Sequence, residues 1–290
     1  MPIDQIPAVG KRQRLASWLS GDGIEIGALH HPLPVPASAR VTYVDRFPEA
    51  ELRRHYPELS REPFAPVSVI GNAHDLTAFT NDSLDFVIAN HLIEHLEDPI
   101  RALTEFHRVL RPDGVLYMAL PDARLTFDKD RELTSLDHLL TEYRSGTAPG
   151  RHAHYLDWAI NVDKHPQPEE HAARLDAMDY SIHFHVFVPD TFLEFFMAAE
   201  REAGLDFELA AYAPPESPED NEFILALLKG RSRSLRLPPT AALGPSANRW
   251  QQLRTSVGRS RAGPILRPVY RLLKRGWSGR HQAPTSGPAG

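Results

Sequence analysis

The run Phe86-Val87-Ile88-Ala89, set between Asp85 and Asn90, constrains this chain more than any other stretch. A short apolar run rich in β-branched residues, with an abrupt polar ending, reads as a strand buried on both faces, as strands inside a parallel sheet are. Asp98 and Pro99 then open a helix as N-cap and first-turn residue, and Ile100, Leu103, Phe106 and Leu110 follow at helical spacing. Arg111-Pro112-Asp113-Gly114 stops that helix, and Val115 to Leu120 is a second buried strand. A strand, helix, strand unit over Ser83 to Leu120 requires parallel strands and a right-handed crossover. Chemistry in such a unit sits where the first strand ends, at Asn90-His91.

Composition narrows what can surround this unit. With 290 residues, 42% hydrophobic and 24% charged, the chain can bury the core of one domain and carry appendages. No apolar stretch reaches about 18 residues and no N-terminal signal pattern is present, so the expectation is a cytoplasmic protein without a membrane span. Cysteine is absent, which excludes disulfides and thiolate chemistry, and 15 histidines make any single one weak evidence. After Glu222 there is no acidic residue, and residues 229–290 hold 13 of the 32 Lys and Arg, leaving 19 against 38 Asp and Glu before them. The expected globule is acidic and its tail basic.

In chain order, Lys11 to Leu19 is helical and Ile24-Glu25-Ile26 forms a first strand, with Gly27 marking a close turn. Val41 to Asp45 is a second strand ending in an acid, about 20 residues beyond Glu25, the spacing of a nucleoside-binding α/β unit. A short helix near Pro48 to Tyr56, a strand Val67 to Ile70 and the turn Asn72-Ala73-His74-Asp75-Leu76 follow. Residues 122–188 break the alternation. They contain a helix-like Thr134 to Tyr143, a loop Gly146 to Gly150 and a concentration of histidines, as an inserted lid or substrate cap would. The core resumes with an amphipathic helix Pro189 to Ala203, stopped by Gly204, and strands Phe207 to Tyr212 and Glu222 to Leu228 as an antiparallel edge hairpin. The domain boundary is expected at 229. Residues 230–290 read as disordered, except that a helix over Ile265 to Trp277 would combine apolar and basic surfaces suited to an anionic membrane.

These features together resemble a class I S-adenosylmethionine-dependent methyltransferase, over about Gly23 to Leu228. The most specific part runs from Asp82-Ser83-Leu84-Asp85-Phe86-Val87-Ile88-Ala89-Asn90-His91-Leu92-Ile93-Glu94-His95 through His107-Arg108-Val109-Leu110-Arg111-Pro112-Asp113-Gly114. The resemblance implies an α/β fold: a Rossmann-like, doubly wound, mostly parallel seven-stranded sheet with an antiparallel C-terminal edge hairpin and an inserted helical cap. It implies S-adenosyl-L-methionine as cofactor, with Glu25, Gly27 and Ala28 in the first motif and Asp45 on the ribose. Asp75 with the backbone at Leu76 would read the adenine edge, and Asn90 and His91 would lie beside the methionine moiety. Where the family commonly has Gly-x-Gly-x-Gly leading a helix, this chain has Gly27-Ala28-Leu29-His30-His31-Pro32-Leu33-Pro34, which leaves no room for a long helix. The pattern Thr126-Phe127-Asp128, Arg131, Thr134, His138 and Ile182-His183-Phe184-His185 is similar to that of a bacterial subgroup whose members resemble proteins of surface-polysaccharide and glycan assembly. That implies O-methylation of a sugar or other glycan acceptor, with no nucleic-acid partner. An NAD-type oxidoreductase and a non-catalytic nucleoside-binding module remain open, and the edge hairpin and the missing Gly-x-Gly-x-x-Gly fingerprint count against the first.

For the chemistry, a sugar hydroxyl is a poor nucleophile at neutral pH, so a general base is expected. The candidates are His183 and His185, ahead of His138, with His152 and His154 in the cap. Asp122, Asp128, Arg131, His152 and His154 are the candidate substrate-binding residues. No metal is expected, because methyl transfer from a sulfonium needs none; His91 and His95, four apart, are read as pocket-lining or structural. Plain alternatives stand beside each assignment. His183 and His185 could be buried, hydrogen-bonded histidines, Asp128 and Arg131 a local ion pair, Asp45 and Asp75 turn caps, and Glu94 a partner of a nearby cation.

Overall fold

The computed structural model describes residues 10–59, 61–217 and 219–230. The expected tail, with its helix over Ile265 to Trp277, lies outside the described residues.

The strand, helix, strand unit forms as read. β4 is Leu84–Asn90, α3 is Pro99–Val109 and β5 is Leu110–Pro121. The Asp98 carboxylate accepts the Arg101 N–H at 3.0 Å and Pro99 occupies the first turn. The chain enters β5 directly at Leu110, which pairs with Leu84, and residues 111–114 form a register shift within the strand rather than a separate turn. Asp113 sits there at φ 66°, and a Cβ on Gly114 would approach the Arg111 carbonyl to 2.8 Å, so a tight bulge does what a loop was expected to do.

Before this unit come α1 (Lys11–Ala16), β1 (Gly21–Ile26), β2 (Ala39–Asp45), α2 (Glu49–His55) and β3 (Val69–Ile70). Helix α1 ends three residues short of expectation because the Trp18 and Leu19 amides turn back to Leu15 and Ala16. Strand β3 is shorter than read. It is an edge strand beyond Pro66, pairing only Val69 with Val44 and Ile70 with Asp45. Between β1 and β2 the prolines at 32, 34 and 36 permit no helix. Leu33 instead tucks its side chain into the core.

After the unit come α4 (Leu136–Ser145), α5 (Arg151–Asn161), α6 (Pro168–Ala177), α7 (Pro189–Ala203), β6 (Phe207–Ala213) and β7 (Glu222–Lys229). The strand order is β3-β2-β1-β4-β5-β7-β6. The first five strands are parallel, and β7 runs antiparallel between β5 and β6. Phe86, Ile88, Tyr117 and Ala119 face α1 and Leu33; Val87 and Ala89 alternate to the other face, where α3 packs on β5, α4 and α7. Phe86 to Ala89 and Leu116 to Leu120 are completely buried, and each large apolar side chain so placed stabilises the sheet by roughly 1.5–3 kcal/mol.

The cap holds three helices where the sequence reading named one. α5 and α6 pack as a pair around Tyr155, Ala159, Ala172 and Leu175, and Ile182 and Phe184 of the returning chain close that small core. Residues 182–188 run buried into the main domain without joining the sheet. The His185 N–H reaches the Glu94 carbonyl at 3.2 Å, and the Thr134 N–H reaches Val186 at 3.0 Å. Arg151 fastens α5 to Glu97, Asp176 and Asp179, and Arg46, just past β2, meets Asp179 at 2.9 Å.

Candidate active site

Strand order reverses between β1 and β4, and ligands of open α/β sheets bind at the carboxyl ends beside such a switch point. Gly27 leaves β1 at φ 69°. A Cβ there would make only ordinary contact, 3.5 Å from Leu92, so the left-handed backbone rather than lack of space calls for glycine. Leu29 and His91, just past β1 and β4, are also at positive φ, 46° each, backbone strain gathered at one end of the sheet. Ala28 lies in the turn between them, its carbonyl accepting the His31 N–H.

Three polar side chains stand at these strand ends. Glu25 is buried; its carboxylate accepts the Leu33 N–H at 3.0 and 3.1 Å and lies 3.4 Å from Asn90 Nδ2. Burial pushes its pKa up to about 7 against those hydrogen bonds. Asp45 ends β2, accepts the Arg46 N–H at 2.7 Å and is pushed up to about 6, again by burial. Asn90 Oδ1 is buried with no hydrogen-bond partner among the described residues, an acceptor that a ligand's N–H or O–H would satisfy. Asp75 is exposed beside a cleft of about 110 Å³ lined by Val44, Val69, Ile70, Asn72 and Leu76. Leu76 departs from its expected role. Its N–H goes to Glu105 at 2.8 Å and its carbonyl accepts from Arg108 at 3.0 Å, so α3 already uses both backbone groups. A larger cleft, about 440 Å³, lies between Gly21, Asp85, Arg111 and Gly114, at the amino ends of the strands and away from the switch point.

His91 joins the end of β4 to β7. Its Nε2 lies 2.9 Å from Glu222 and its Nδ1 3.4 Å from Glu94, and Glu222 in turn takes two hydrogen bonds from Arg12, at 2.8 and 2.6 Å. Burial opposes charge on His91, but the two carboxylates outweigh it and raise the pKa to about 9. Burial likewise opposes the Glu222 carboxylate, which Arg12 and His91 nonetheless hold down to about 2. Glu94 is fully buried, and neither carboxylate oxygen has a hydrogen-bond partner among the described residues. His95 meets Ser181 at 3.0 Å and is pushed down to about 4 by burial and then by His183.

In the cap, Asp128 and His183 come together. His183 Nδ1 lies 2.6 Å from Asp128 Oδ2, while Arg131 donates to Asp128 Oδ1 at 2.7 Å and to Asp157 at 2.7 Å. Burial alone would raise the Asp128 pKa, but His183 and Arg131 lower it. The His183 ring sits 4.8 Å from Phe127, whose side chain is 52% exposed, and 5.9 Å from Trp158. His185 was ranked beside His183, yet it is completely buried, and burial, then His154, pushes it down to about 3. Burial therefore holds its ring in the neutral form. His138 and His154 meet each other and Glu142 instead of facing Asp128. His152 is exposed, 3.6 Å from Glu169, and Asp122 is buried, pairing with Arg124 and capping the turn after β5.

Sequence reasoning missed Glu142 and Glu222 as site residues. Glu142 was legible in principle, four residues after His138 and so on the same helical face. Glu222 was not, since only the hairpin carries it back to a histidine 131 positions earlier.

Residues 20–118, from the start of β1 through most of β5, match the family described as Methyltransferase domain. An uncharacterized protein of a transposon from Streptomyces fradiae is 35% identical over 104 residues, which cover 35% of this chain and 28% of that relative's length. Among solved structures, the chain is similar to a methyltransferase from Thermotoga maritima, titled a possible histamine N-methyltransferase, at 18% identity and TM-score 0.41, covering 76% of this chain and 88% of that one. It is also similar to a methyltransferase from Bacillus halodurans at 14% identity and TM-score 0.39, covering 74% and 96%. The matched stretch spans the parallel strands β1 to β5, and so includes the switch point between β1 and β4.

Proposed function

We propose that the protein methylates a hydroxyl of a sugar or glycan acceptor held under the cap, with His183 as general base. The observation that carries this reading is the 2.6 Å contact between His183 Nδ1 and an Asp128 that Arg131 keeps ionised. With Nδ1–H given to Asp128, Nε2 is left as the basic atom, and Asp128 stabilises the imidazolium that forms when Nε2 takes the acceptor's proton. Gly27 and Ala28 by their backbone, Asp45 toward the ribose, Asp75 at the adenine edge, and Asn90 with His91 beside the methionine part are the residues that would hold the cofactor. The cofactor supplies an activated methyl group on a sulfonium. Positioning supplies most of the acceleration, since aligned reactants gain roughly 7–11 kcal/mol, and the base adds about 10²–10⁴-fold. The half-exposed ring of Phe127 beside His183 supports a sugar acceptor, because an aromatic face packs well on the apolar face of a pyranose.

This reading places the enzyme in polysaccharide or glycoconjugate assembly, where the basic residues after 229 would favour contact with an anionic membrane. The test offers nucleotide sugars, free glycans and amines together with methyl-labelled S-adenosyl-L-methionine. Label in sugar ethers, lost in His183→Ala, is the expected result; label in amines alone, or full transfer by His183→Ala, overturns the reading.

A further inference from the structure

Away from the Asp128 and His183 pair, the cap gathers a second polar cluster that methyl transfer does not use. His138 and Glu142 lie four apart on one face of α4, His154 comes from α5, and His185 from the returning chain. One ligand-type atom from each of the four residues lies within 4.8 Å of the others. His138 Nε2 and His154 Nε2 are 3.1 Å apart, His154 Nε2 is 2.9 Å from Glu142 Oε1, and His138 Nε2 is 3.2 Å from Glu142 Oε2. His185 Nε2 approaches Glu142 Oε2 at 3.6 Å from the fourth side, and 3.2 Å from the Glu97 carbonyl.

Hydrogen bonding alone does not account for this arrangement. If His138 and His154 both point N–H groups at Glu142, the two donors oppose each other across 3.1 Å; if only one does, the lone pair of the other faces the carboxylate. Glu142 Oε2 is buried and, although His138 Nε2 lies 3.2 Å away, has no well-aligned hydrogen-bond partner among the described residues; the Glu142 side chain is only 6% exposed. An unsatisfied buried carboxylate oxygen is costly unless something positive meets it. The spacings fit a cation at the centre. Ligands about 2.0–2.1 Å from a tetrahedral zinc ion stand roughly 3.3 Å from one another; the four separations above run from 2.9 to 3.6 Å, and every pair lies within 4.8 Å.

We propose that His138, Glu142, His154 and His185 form a binding site for a divalent first-row metal ion, with zinc the best match to three imidazoles and a carboxylate. Four protein ligands make the site a closed, structural one. The ion joins α4, α5 and the segment that carries His183 two residues before His185, so it fastens the cap in the geometry that presents His183 to Asp128. His138, with 39% of its side chain exposed, is the side from which the ion enters.

The test strips the full-length protein with chelator, then titrates it with zinc and, as a spectroscopic probe, with cobalt. The proposal expects one ion per chain, the visible absorption of four-coordinate cobalt, and a higher melting temperature with metal. Glu142→Gln and His154→Ala should weaken binding at least 10-fold, and His152→Ala, two residues away but exposed on the other side, should bind as wild type does. Glu142→Gln keeps the shape of the side chain and carries the test if His154→Ala does not fold. Wild-type protein that takes up no stoichiometric metal, or a Glu142→Gln variant that binds it as tightly as wild type, overturns the proposal.

Discussion

His183 and His185 show how far a pair of residues can be read before folding. Two apart in an extended segment, they were expected to share a face, and from spacing alone either could be the base. Their neighbours separate them. Asp128 reaches the first at 2.6 Å, while the second is completely buried beside His154 and Glu142. His183→Ala is therefore expected to lower turnover about 10²-fold or more while calorimetry shows cofactor affinity little changed. Asp128→Asn should follow it in turnover, since the amide cannot hold Nδ1–H and stabilise the imidazolium in the same way. If either variant turns over normally on the identified acceptor, the pair is structural. At the cofactor end, Asp45→Ala should abolish most S-adenosyl-L-methionine binding without unfolding the protein, and equal binding by variant and wild type would remove Asp45 from the site.

Between elements, the contact that most depends on topology is the one joining β7 to the end of β4. Glu222 is placed by the hairpin, His91 by the strained turn after β4, and Arg12 by α1. The Glu222 pKa is depressed from 4.5 to about 2, so its contribution is present above the unfolded value and lost as pH falls through about 2. The His91 pKa is raised from 6.5 to about 9, so its contribution is complete below 6.5 and lost as pH rises through about 9. The stability gap between wild type and Glu222→Gln, from denaturant unfolding, should be largest at about pH 5–6.5 and narrow toward pH 9–10 to the part that Arg12 maintains. A gap that stays flat over that range would show that the pair does not form. Glu25 works in the opposite sense to Glu222. Raised from 4.5 to about 7, it favours folding at low pH and loses that contribution as pH rises through 7, so Glu25→Gln should flatten this part of the pH dependence.

For the whole molecule, ligand linkage separates a methyltransferase from a dinucleotide enzyme and from a silent fold. S-adenosyl-L-methionine at 100 times its dissociation constant should stabilise the native state by about 2.7 kcal/mol, and NAD should not. A shift with NAD alone, or with neither, would contradict the cofactor assignment. The basic residues after 229 give a second measurement, sedimentation with anionic liposomes at low salt. The full chain should pellet with the vesicles more than residues 1–230 do, and equal sedimentation would rule out membrane contact through this region.

The sequence by itself determined the parallel core and the edge hairpin. Those follow from local signals: apolar runs too regular to be anything but buried strands, a capping Asp98 before Pro99, and prolines that forbid a helix after Gly27. The tertiary structure alone decided which histidine meets a carboxylate, that the Leu76 backbone is already taken by Glu105 and Arg108, and that His138 belongs with Glu142, His154 and His185. Periodicity describes a residue's relation to its own element and is silent on which side chain of another element stands opposite. That depends on how α4, α5 and the returning chain pack, a property of the assembled cap that no stretch of sequence carries alone.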